Sequence, residues 1–296
     1  RFGQSLGIDL SPQKKQCNFD CLYCELKGAK TVEYASDTPD VKIIVEELQE
    51  ALAKHQHIDV ITLTANGEPT LYPDLSLLVD QINRIKGTHK LLILSNGSTI
   101  SQPPIQAILS QIDIVKLSLD CVSQKSFQKL DRAHKSVCIE AIIEGMIAFR
   151  SHYQGELVIE ILVVKGFNDT QEEFEKLNHV LQRIQPDRID IGTIDRPPAY
   201  GVEAISIERL VELSSYLKNL PINIAYGKHY IAQKRNFNEE EMIALMRRRP
   251  QSVEDIHHCF DESSLLRLEK LLEEKKLTIK KIAGVKFYTC ESIQHV

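Results

Sequence analysis

Tryptophan is absent from this chain of 296 residues, and no apolar run approaches the roughly 18 residues that a membrane-spanning helix requires. Residues 1–12 lack the charged-then-apolar order of a secretory signal. Neither charge sign dominates, because 36 Lys and Arg residues stand against 41 Asp and Glu residues. The net charge of −5 gives no field that would draw the whole chain onto nucleic acid or an anionic membrane. A cytoplasmic protein without a membrane partner is expected.

Cysteines are few and unevenly spaced. There are seven, an odd number, and three of them fall within eight residues as Cys17, Cys21 and Cys24. This distribution argues against a framework of disulfides. In a reducing cytosol, clustered thiolates indicate ligands of a metal or of a metal cluster. The isolated Cys121 and Cys138 are expected to pack in the core instead.

Short β-branched runs alternate with longer stretches of helical period up to about residue 226. The predicted strands are 5–10, 59–64, 90–95, 113–119, 157–163 and 188–193. The predicted helices are 41–56, 74–86, 105–111, 136–150 and 170–184, the last beginning at the capping-box spacing of Thr170 and Glu173. Six such units imply a parallel sheet, either open or curled into a partial barrel.

The polarity of alternate strand residues favours the barrel. In the fourth predicted strand Lys116, Ser118 and Asp120 share one face, and Glu160 and Asp190 are flanked by isoleucines in later strands. Burying such groups without partners would cost of order 1–3 kcal/mol each. We therefore predict an α/β fold of the partial (β/α)6 barrel type with a polar, ligand-holding lumen.

The pattern changes after about residue 226. A basic loop at 227–235 leads into helical segments at 239–248, 252–258 and 263–274, then strand-like runs at 277–281 and 285–289 around Ala283 and Gly284. Three helices and a hairpin are typical of a winged-helix domain. We therefore predict a barrel domain over 1–232 and a winged-helix-like domain over 233–296.

The three clustered cysteines follow the first predicted strand as Cys17-Asn-Phe-Asp-Cys21-Leu-Tyr-Cys24. They therefore lie at the carboxyl end of the strands, where barrel enzymes build their sites. Three such cysteines can wrap one corner of a cuboidal cluster and leave one iron without a protein ligand. A structural zinc site would need a fourth ligand, and the nearest histidines, His55 and His57, fall in or just after a predicted helix.

This spacing, with the aromatic Tyr23 directly before the last cysteine, resembles the signature of the radical S-adenosylmethionine (radical SAM) superfamily. The resemblance implies a [4Fe-4S] cluster held by Cys17, Cys21 and Cys24, whose open iron binds the amino and carboxylate groups of S-adenosylmethionine. It also implies the reaction, in which an electron from the reduced cluster gives methionine and a 5'-deoxyadenosyl radical that abstracts hydrogen from a substrate. A flavodoxin or ferredoxin would be the electron donor.

The resemblance extends to the ends of later strands. The residues that it implies for cofactor binding are Tyr23, Asn66, Gly67, Glu68, Asn96, Ser118, Asp120 and Asn168. Glu68 would accept a hydrogen bond from the methionine amino group, and Gly67 would let the backbone approach closely. Ser118 and Asp120 resemble ribose-contacting positions, and Tyr23 would pack near the adenine.

Several of these polar residues also have plain structural interpretations. Asn96 and Asn168 begin Asn-Gly and Asn-Asp sequences that are typical of turns, and Asp120 is a suitable cap for the next helix. Lys116 and Glu160 could pair across the lumen as a structural salt bridge.

Further stretches are similar to a group of bacterial and archaeal iron–sulfur oxidoreductases related to wyosine-tRNA synthases. They are residues 5–10, 118–120, 129–134 and 196–199. The true wyosine enzymes carry extra cysteines for a second cluster, whereas here the remaining cysteines are isolated. The candidate substrate-binding residues are Arg132, His134 and Arg196 at the barrel mouth, together with Glu160. Solvated loop charge is the alternative role of the first three.

Three functions fit the sequence. The first is a radical SAM enzyme that modifies a nucleobase in RNA such as tRNA. The second is the same chemistry on a peptide or protein. The third is a redox-sensing transcription factor, with the cluster as sensor and the winged helix as DNA reader. The run Arg247-Arg-Arg249 could contact phosphates, but Glu239-Glu-Glu241 precedes it, so the carboxyl-terminal module lacks a clear basic face.

Overall fold

The computed structural model describes residues 2–55, 57–224, 234–248, 250–282 and 285–290. The chain divides into two units, Arg1–Tyr226 and Gly227–Val296, and each has its own hydrophobic core. The predicted domain boundary after residue 232, most of the basic loop, and the predicted turn at Ala283 and Gly284 lie outside the described residues.

The first unit is built on seven parallel strands that lie in the sheet in the order in which they occur along the chain. They are β1 Ser5–Asp9, β2 Val60–Thr64, β3 Lys90–Ser95, β4 Ile114–Ser118, β5 Glu156–Val163, β6 Arg188–Thr193 and β7 Ile222–Ile224. This order is that of a barrel wall and not of a doubly wound sheet, in which the order reverses. The predicted α/β class is confirmed. The prediction missed β7, because three residues are too few to show a period.

The helices of this unit are α1 Val41–Lys54, α2 Leu75–Ile85, α3 Pro103–Leu109, α4 Gln124–Leu130, α5 Ile139–Arg150, α6 Gln171–Ile184 and α7 Ile207–Ser214. The short helices α4 and α7 were not predicted. Ser123 caps α4, so the helix-cap interpretation of Asp120 is wrong. Thr170 caps α6 as predicted, but the Glu173 carboxylate accepts the Val122 N–H at 2.8 Å instead of completing a capping box.

The outer face of the sheet forms the main core with the helices. Fully buried side chains at alternate strand positions include Ile61, Ile93, Leu117, Ile159 and Ile191. Burying each such side chain contributes about 1.5–3 kcal/mol. A slip of one residue would turn all of them to the other face, so this pattern sets the register of the strands.

The side chains on the inner face of the sheet change from apolar to charged along the strands. Near the amino ends a second buried apolar cluster is formed by Val60, Leu92, Ile114 and Val158, with Phe2 packed against it. Two residues further along β4 and β5, Lys116 and Glu160 occupy the same face. The expectation of a polar lumen therefore needs a correction, because its amino-terminal layer is apolar.

The second unit contains α8 Glu239–Arg248, β8 Gln251–Ser252, α9 Val253–Cys259, α10 Glu262–Glu273, β9 Thr278–Ile282 and β10 Val285–Thr289. The strands pair antiparallel in the order β8-β10-β9. Met242, Met246, Phe260 and Leu271 are among its buried core residues. Arg249 of the predicted basic run lies outside the described residues. Among the helices of the described ranges, none has the length and apolar character needed to cross a membrane.

Candidate active site

The cysteine loop, defined here as residues 11–35, follows β1 and is joined to the loop after β2. Gln16 N donates to Asn66 O at 2.9 Å, and Glu68 N donates to Gln16 O at 3.0 Å, which makes a parallel bridge between Gln16 and Gly67. The Gln16 side chain is buried and binds Ser11 together with the backbone of residues 36 and 37. The residue before Cys17 is therefore fixed in place from two sides.

Gly67 permits this bridge. It has a φ of 147°, and a Cβ at this position would lie 1.8 Å from the carbonyl oxygen of Gln16. Only glycine avoids that overlap. The close backbone approach expected at Gly67 is thus made to the peptide of Gln16. The preceding Asn66 is turned towards the end of β1, since its N–H donates to Asp9 Oδ1 at 3.0 Å and its Nδ2 to Pro12 O at 3.4 Å.

Glu68 is almost fully buried and accepts four hydrogen bonds. Its Oε1 accepts from Thr70 N at 2.9 Å, Thr70 Oγ1 at 2.7 Å and Ser95 Oγ at 2.8 Å, and its Oε2 accepts from Asn96 N at 2.7 Å. Burial still raises the pKa of this carboxyl, although these bonds oppose the rise. Asn96 Nδ2 lies 2.9 Å from Asn18 Oδ1 and 3.6 Å from Cys17 Sγ. Glu68 and Asn96 therefore connect the ends of β2 and β3 to the first cysteine.

Backbone hydrogen bonds also join the cysteine loop to the loops after β4 and β6. Asp20 N donates to Asp131 O at 3.1 Å, and Leu22 N donates to Leu130 O at 2.9 Å. From the loop after β6, Ala199 N donates to the carbonyl of Cys24 at 2.8 Å. Backbone hydrogen bonds from the segments following β2, β4 and β6 thus hold the segment that carries the three thiols.

The three thiols are half-buried, and acidic side chains act on Cys17 and Cys21. Burial, followed by the charge of Glu68, raises the pKa of Cys17 to about 12. Burial and the charge of Asp131 raise the pKa of Cys21 well above its usual value. In the part of the chain that the structure describes, no three His, Cys, Asp or Glu side chains converge closely enough to hold a single metal ion.

Tyr23, Asp120 and Asp131 meet beneath the cysteine loop. The Tyr23 hydroxyl donates to Asp120 and lies 3.4 Å from Asp131 Oδ1. Asp120 Oδ1 also accepts from Leu162 N at 2.7 Å. These residues line a small cavity whose other walls include Phe19, Asn96, Ser118, Leu119 and Ile142. Four predicted cofactor residues, Tyr23, Asn96, Ser118 and Asp120, are therefore brought together.

Asp131 is the residue of this cluster that the sequence analysis missed. Burial raises its pKa to about 7, while hydrogen bonds from Cys21, Cys121 and Tyr23 oppose that rise. Burial and the charge of Asp131 raise the pKa of Asp120 well above the ordinary carboxyl value. The stretch 129–134 contains Asp131 and resembles relatives, so it carries the signal for this residue. The sequence analysis singles out only Arg132 and His134 within it.

Asn168 lies fully buried in the loop after β5. Its Oδ1 accepts from Val164 N at 2.7 Å, and its Nδ2 donates to Asp120 O at 2.8 Å and Leu162 O at 2.9 Å. Its amide therefore holds the backbone that carries Asp120. The two scattered cysteines differ in their placement. Cys121 is buried as expected, but Cys138 is exposed at the start of α5 with Sγ 2.9 Å from Glu140 Oε2, so its expected core position is wrong.

A cluster of charged side chains lies on the inner face of the sheet. It is nearer the carboxyl ends of the strands than the apolar cluster of Val60, Leu92, Ile114 and Val158. Lys116 Nζ lies 2.6 Å from Glu160 Oε1 and 3.0 Å from Asp190 Oδ2. Asp190 also accepts from Arg188 at 3.0 Å and Asn223 at 2.8 Å. The Glu160 side chain is 45% exposed, against 7% for Asp190. The salt-bridge interpretation of Lys116 and Glu160 is therefore observed, with Glu160 as the accessible member.

The three residues predicted to bind substrate at the barrel mouth have protein partners. Arg132 Nη1 lies 3.6 Å from Asp20 Oδ2, and Arg196 Nε lies 3.6 Å from Glu25 Oε2. His134 Nδ1 lies 2.7 Å from Ser136 Oγ. Both arginines thus contact acidic residues of the cysteine loop, and only Arg132 of the two is well exposed.

Comparison with known proteins agrees with this arrangement of loops. The family model of the radical SAM superfamily matches residues 15–178, which include the three clustered cysteines and the ends of β2 to β5. The chain belongs to this superfamily. It is also 40% identical over 292 residues to a UPF0026 protein of Helicobacter pylori, an alignment that covers 97% of this chain and 94% of the relative.

Two solved structures share the fold of this radical SAM chain. Streptococcus suis SuiB bound to the precursor peptide SuiA has a TM-score of 0.60 at 20% identity, covering 77% of this chain and 50% of SuiB. TYW1 with a lysine-pyruvate adduct bound has a TM-score of 0.52 at 16% identity, covering 73% of this chain and 74% of TYW1. The superfamily uses a [4Fe-4S] cluster and S-adenosylmethionine. The chain is a radical SAM enzyme with these cofactors.

Proposed function

We propose that Cys17, Cys21 and Cys24 bind the [4Fe-4S] cluster and that the enzyme forms a 5'-deoxyadenosyl radical at the mouth of the lumen. The observation that carries this proposal is the set of backbone hydrogen bonds that fix the thiol-bearing segment to the segments following β2, β4 and β6. Gln16 is bridged to Gly67, Asp20 to Asp131 and Cys24 to Ala199. A ligand set held before its cofactor arrives suits a cluster with one iron left free of protein.

S-adenosylmethionine would lie along the carboxyl ends of β2 to β5. Glu68 and Asn96 would hold the methionine end, with Gly67 keeping the backbone close to the cysteine loop. Ser118 and Asp120 would contact the ribose, and Tyr23 would lie beside the adenine. Asn66 and Asn168 would be positioning residues. Asn66 binds Asp9 at the end of β1, and Asn168 binds the backbone of Asp120.

The chain's own residues would prepare the lumen for radical chemistry. Fixed hydrogen bonds to Glu68 and Asp120 would orient the cofactor, and the apolar layer at the amino end would close the lumen to water from below. Glu160, paired with Lys116, would meet the polar part of the substrate. Arg132, Arg196 and His134 would surround the entrance and also support the cysteine loop.

A nucleobase in RNA is the substrate class that we propose first. The inward Lys116, Glu160 and Asp190 side chains offer both donors and acceptors to the edge of a polar planar ring. The resemblance of residues 118–120 and 129–134 to a group related to wyosine-tRNA synthases supports the same choice of substrate class. A flavodoxin or ferredoxin would supply the electron.

A peptide substrate is the second candidate, and the surface of the second unit favours it. We propose that this unit is winged-helix-like, from its order of helix, strand, two helices and two strands. Its third helix, α10, exposes Glu262, Glu269 and Glu273 beside one exposed cation, Lys270, while Arg267 of the same helix is half-buried. An acidic face repels phosphates, so it suits a basic peptide better than nucleic acid and argues against the DNA-binding regulator.

Anaerobic reconstitution tests the chemistry. Protein loaded with iron and sulfide is incubated with dithionite and S-adenosylmethionine, and 5'-deoxyadenosine is measured by chromatography. Wild-type protein should form it, Cys24→Ala should not, and the exposed-cysteine control Cys138→Ala should match wild type. No product from fully loaded wild-type protein would contradict the proposal. Deuterated RNA and peptide pools then separate the substrates, because the true one transfers deuterium into 5'-deoxyadenosine.

A further inference from the structure

Lys15 is a buried cation next to the cysteines. Its side chain is 8% exposed, whereas that of the neighbouring Lys14 is 55% exposed. A buried ammonium group is costly unless negative charge balances it. Lys15 Nζ donates to Asp20 Oδ1 at 2.9 Å, and Asp20 itself lies between Cys17 and Cys21 in the sequence.

Asp20 does not balance Lys15 alone, because several donors share its carboxylate. Ala29 N donates to the same Oδ1 at 3.3 Å, the Tyr200 hydroxyl donates to Oδ2, and Arg132 Nη1 lies 3.6 Å from Oδ2. Two cations therefore compete for one negative charge. A cluster bound by the thiolates of the cysteine loop would add negative charge near Lys15.

The sequence and the hydrogen bonds place these charges close to the three cysteines. Lys15 lies two residues before Cys17, so their Cα atoms are at most about 7 Å apart. Its partner Asp20 directly precedes Cys21. The buried carboxylate of Glu68 accepts from Asn96 N at 2.7 Å, and Asn96 Nδ2 lies 3.6 Å from Cys17 Sγ.

We propose that Lys15 tunes the cluster by raising its reduction potential. The inference rests on the proposed function, in that the three cysteines must hold the cluster. Reduction adds one electron, and so one negative charge, to the cluster, while the donor loses one electron and no bond of the protein changes. A fixed cation within Coulomb range stabilises the reduced state more than the oxidised state. Lys15 thus offsets the buried carboxylates that make reduction harder.

A redox titration of the reconstituted protein tests this role. The reduced cluster is followed by electron paramagnetic resonance in wild type, Lys15→Met, Lys15→Arg, Asp20→Asn and the exposed control Lys14→Met. For Lys15→Met we expect the ratio of reduced to oxidised cluster at a given potential to fall about tenfold, a shift of ~59 mV to more negative values for one electron. Lys15→Arg and Lys14→Met should titrate like wild type. Asp20→Asn removes a negative charge and should shift the potential in the positive direction.

The reduction potential should shift in opposite directions in Lys15→Met and Asp20→Asn. An electrostatic effect predicts these opposite shifts, whereas loosening of the loop does not. An unchanged potential in Lys15→Met, or shifts of the same sign in Lys15→Met and Asp20→Asn, would overturn the proposal. If iron analysis shows that Lys15→Met retains no cluster, Lys15→Gln replaces it in the titration. If neither variant binds the cluster, the role of Lys15 is in cluster binding, and the proposal that it tunes the potential is overturned. A wild-type protein that takes up no cluster at all would count against the proposed function itself.

Discussion

The Tyr23 hydroxyl donates a hydrogen bond to Asp120, which lies 97 positions later in the sequence, and so joins the cysteine loop to the end of β4. Asp120 is buried beside a second carboxyl group, that of Asp131. Because a buried carboxylate that loses a hydrogen-bond donor keeps the cost of its desolvation, the hydroxyl group should matter for folding as well as for the shape of the cavity.

Removal of that hydroxyl group gives the first prediction. Tyr23→Phe should lower the free energy of unfolding of the cluster-free protein by about 1–3 kcal/mol, measured by urea denaturation. Tyr34→Phe is the control, because Tyr34 is 72% exposed and should change stability by less than about 0.5 kcal/mol. Equal effects of the two substitutions would contradict the prediction.

Gly67 gives the second prediction. Gly67→Ala places a methyl group 1.8 Å from the Gln16 carbonyl, so the bridge next to Cys17 must separate. We expect iron uptake on reconstitution to be lost and the free energy of unfolding to fall by about 1–3 kcal/mol. Gly201→Ala serves as the control, since a Cβ there meets no atom within 4 Å. Full iron content in Gly67→Ala would show that the bridge does not shape the ligand set.

Asp190 gives a prediction about pH. Burial raises the pKa of this carboxyl, but Lys116, Asn223 and Arg188 outweigh burial and hold the pKa below its usual value. Ionised Asp190 therefore stabilises the fold above about pH 3.9, the ordinary value in an unfolded chain, and the contribution is lost as the pH falls towards the lower folded value.

The variant Asp190→Asn should be less stable than wild type near pH 6, with a difference that shrinks as the pH falls from about 4 to 2. Urea denaturation across this range measures it. Glu203→Gln is the control, because the ion pair of Glu203 with Lys165 is exposed at 72% and 60% and such pairs contribute little. A difference between Asp190→Asn and wild type that stays constant with pH would mean that ionisation of Asp190 is not its source.

Tyr200 gives the fourth prediction. Its hydroxyl group donates to Asp20, and its ring lies 4.8 Å from the Arg132 guanidinium carbon. Tyr200→Phe should speed the loss of the cluster to an iron chelator about fivefold to tenfold, as expected for about 1 kcal/mol of lost support. The control is Tyr216→Phe, whose hydroxyl group contacts Gln171 at 3.1 Å on an exposed surface. Identical release rates in the two variants would refute the role of Tyr200.

Most elements with a clear periodic pattern were predictable. Strand β5, with apolar residues at alternate positions, and helix α6, with its cap at Thr170, follow from local pattern alone. Strand β7 has three residues, too few for a period to show, whereas helices α4 and α7 were missed although α3, of similar length, was predicted. The capping-box prediction was wrong for Glu173. Its carboxylate accepts a hydrogen bond from Val122 N in another loop instead of completing the box at the start of α6.

The site was predictable where a motif is compact and not where it depends on distant partners. The cysteine spacing and the segment from Asn66 to Glu68 are local in sequence. Asp131 and Asp20 acquire their roles only when the loops after β4 and β6 fold against the cysteine loop. Lys15 and Lys14 are adjacent in sequence, and only folding decides which of the two is buried.

The hydrogen bonds that shape the cysteine loop also set an order of assembly. The partner of Asp20 furthest along the chain, Tyr200, lies 180 positions later. During synthesis the thiols therefore leave the ribosome long before the residues that position them. Iron and sulfur delivered to the nascent chain would meet an unshaped loop, so insertion should follow completion of the barrel. The maturation machinery would then act on a folded apoprotein, and slow folding of the β6 region would delay activation.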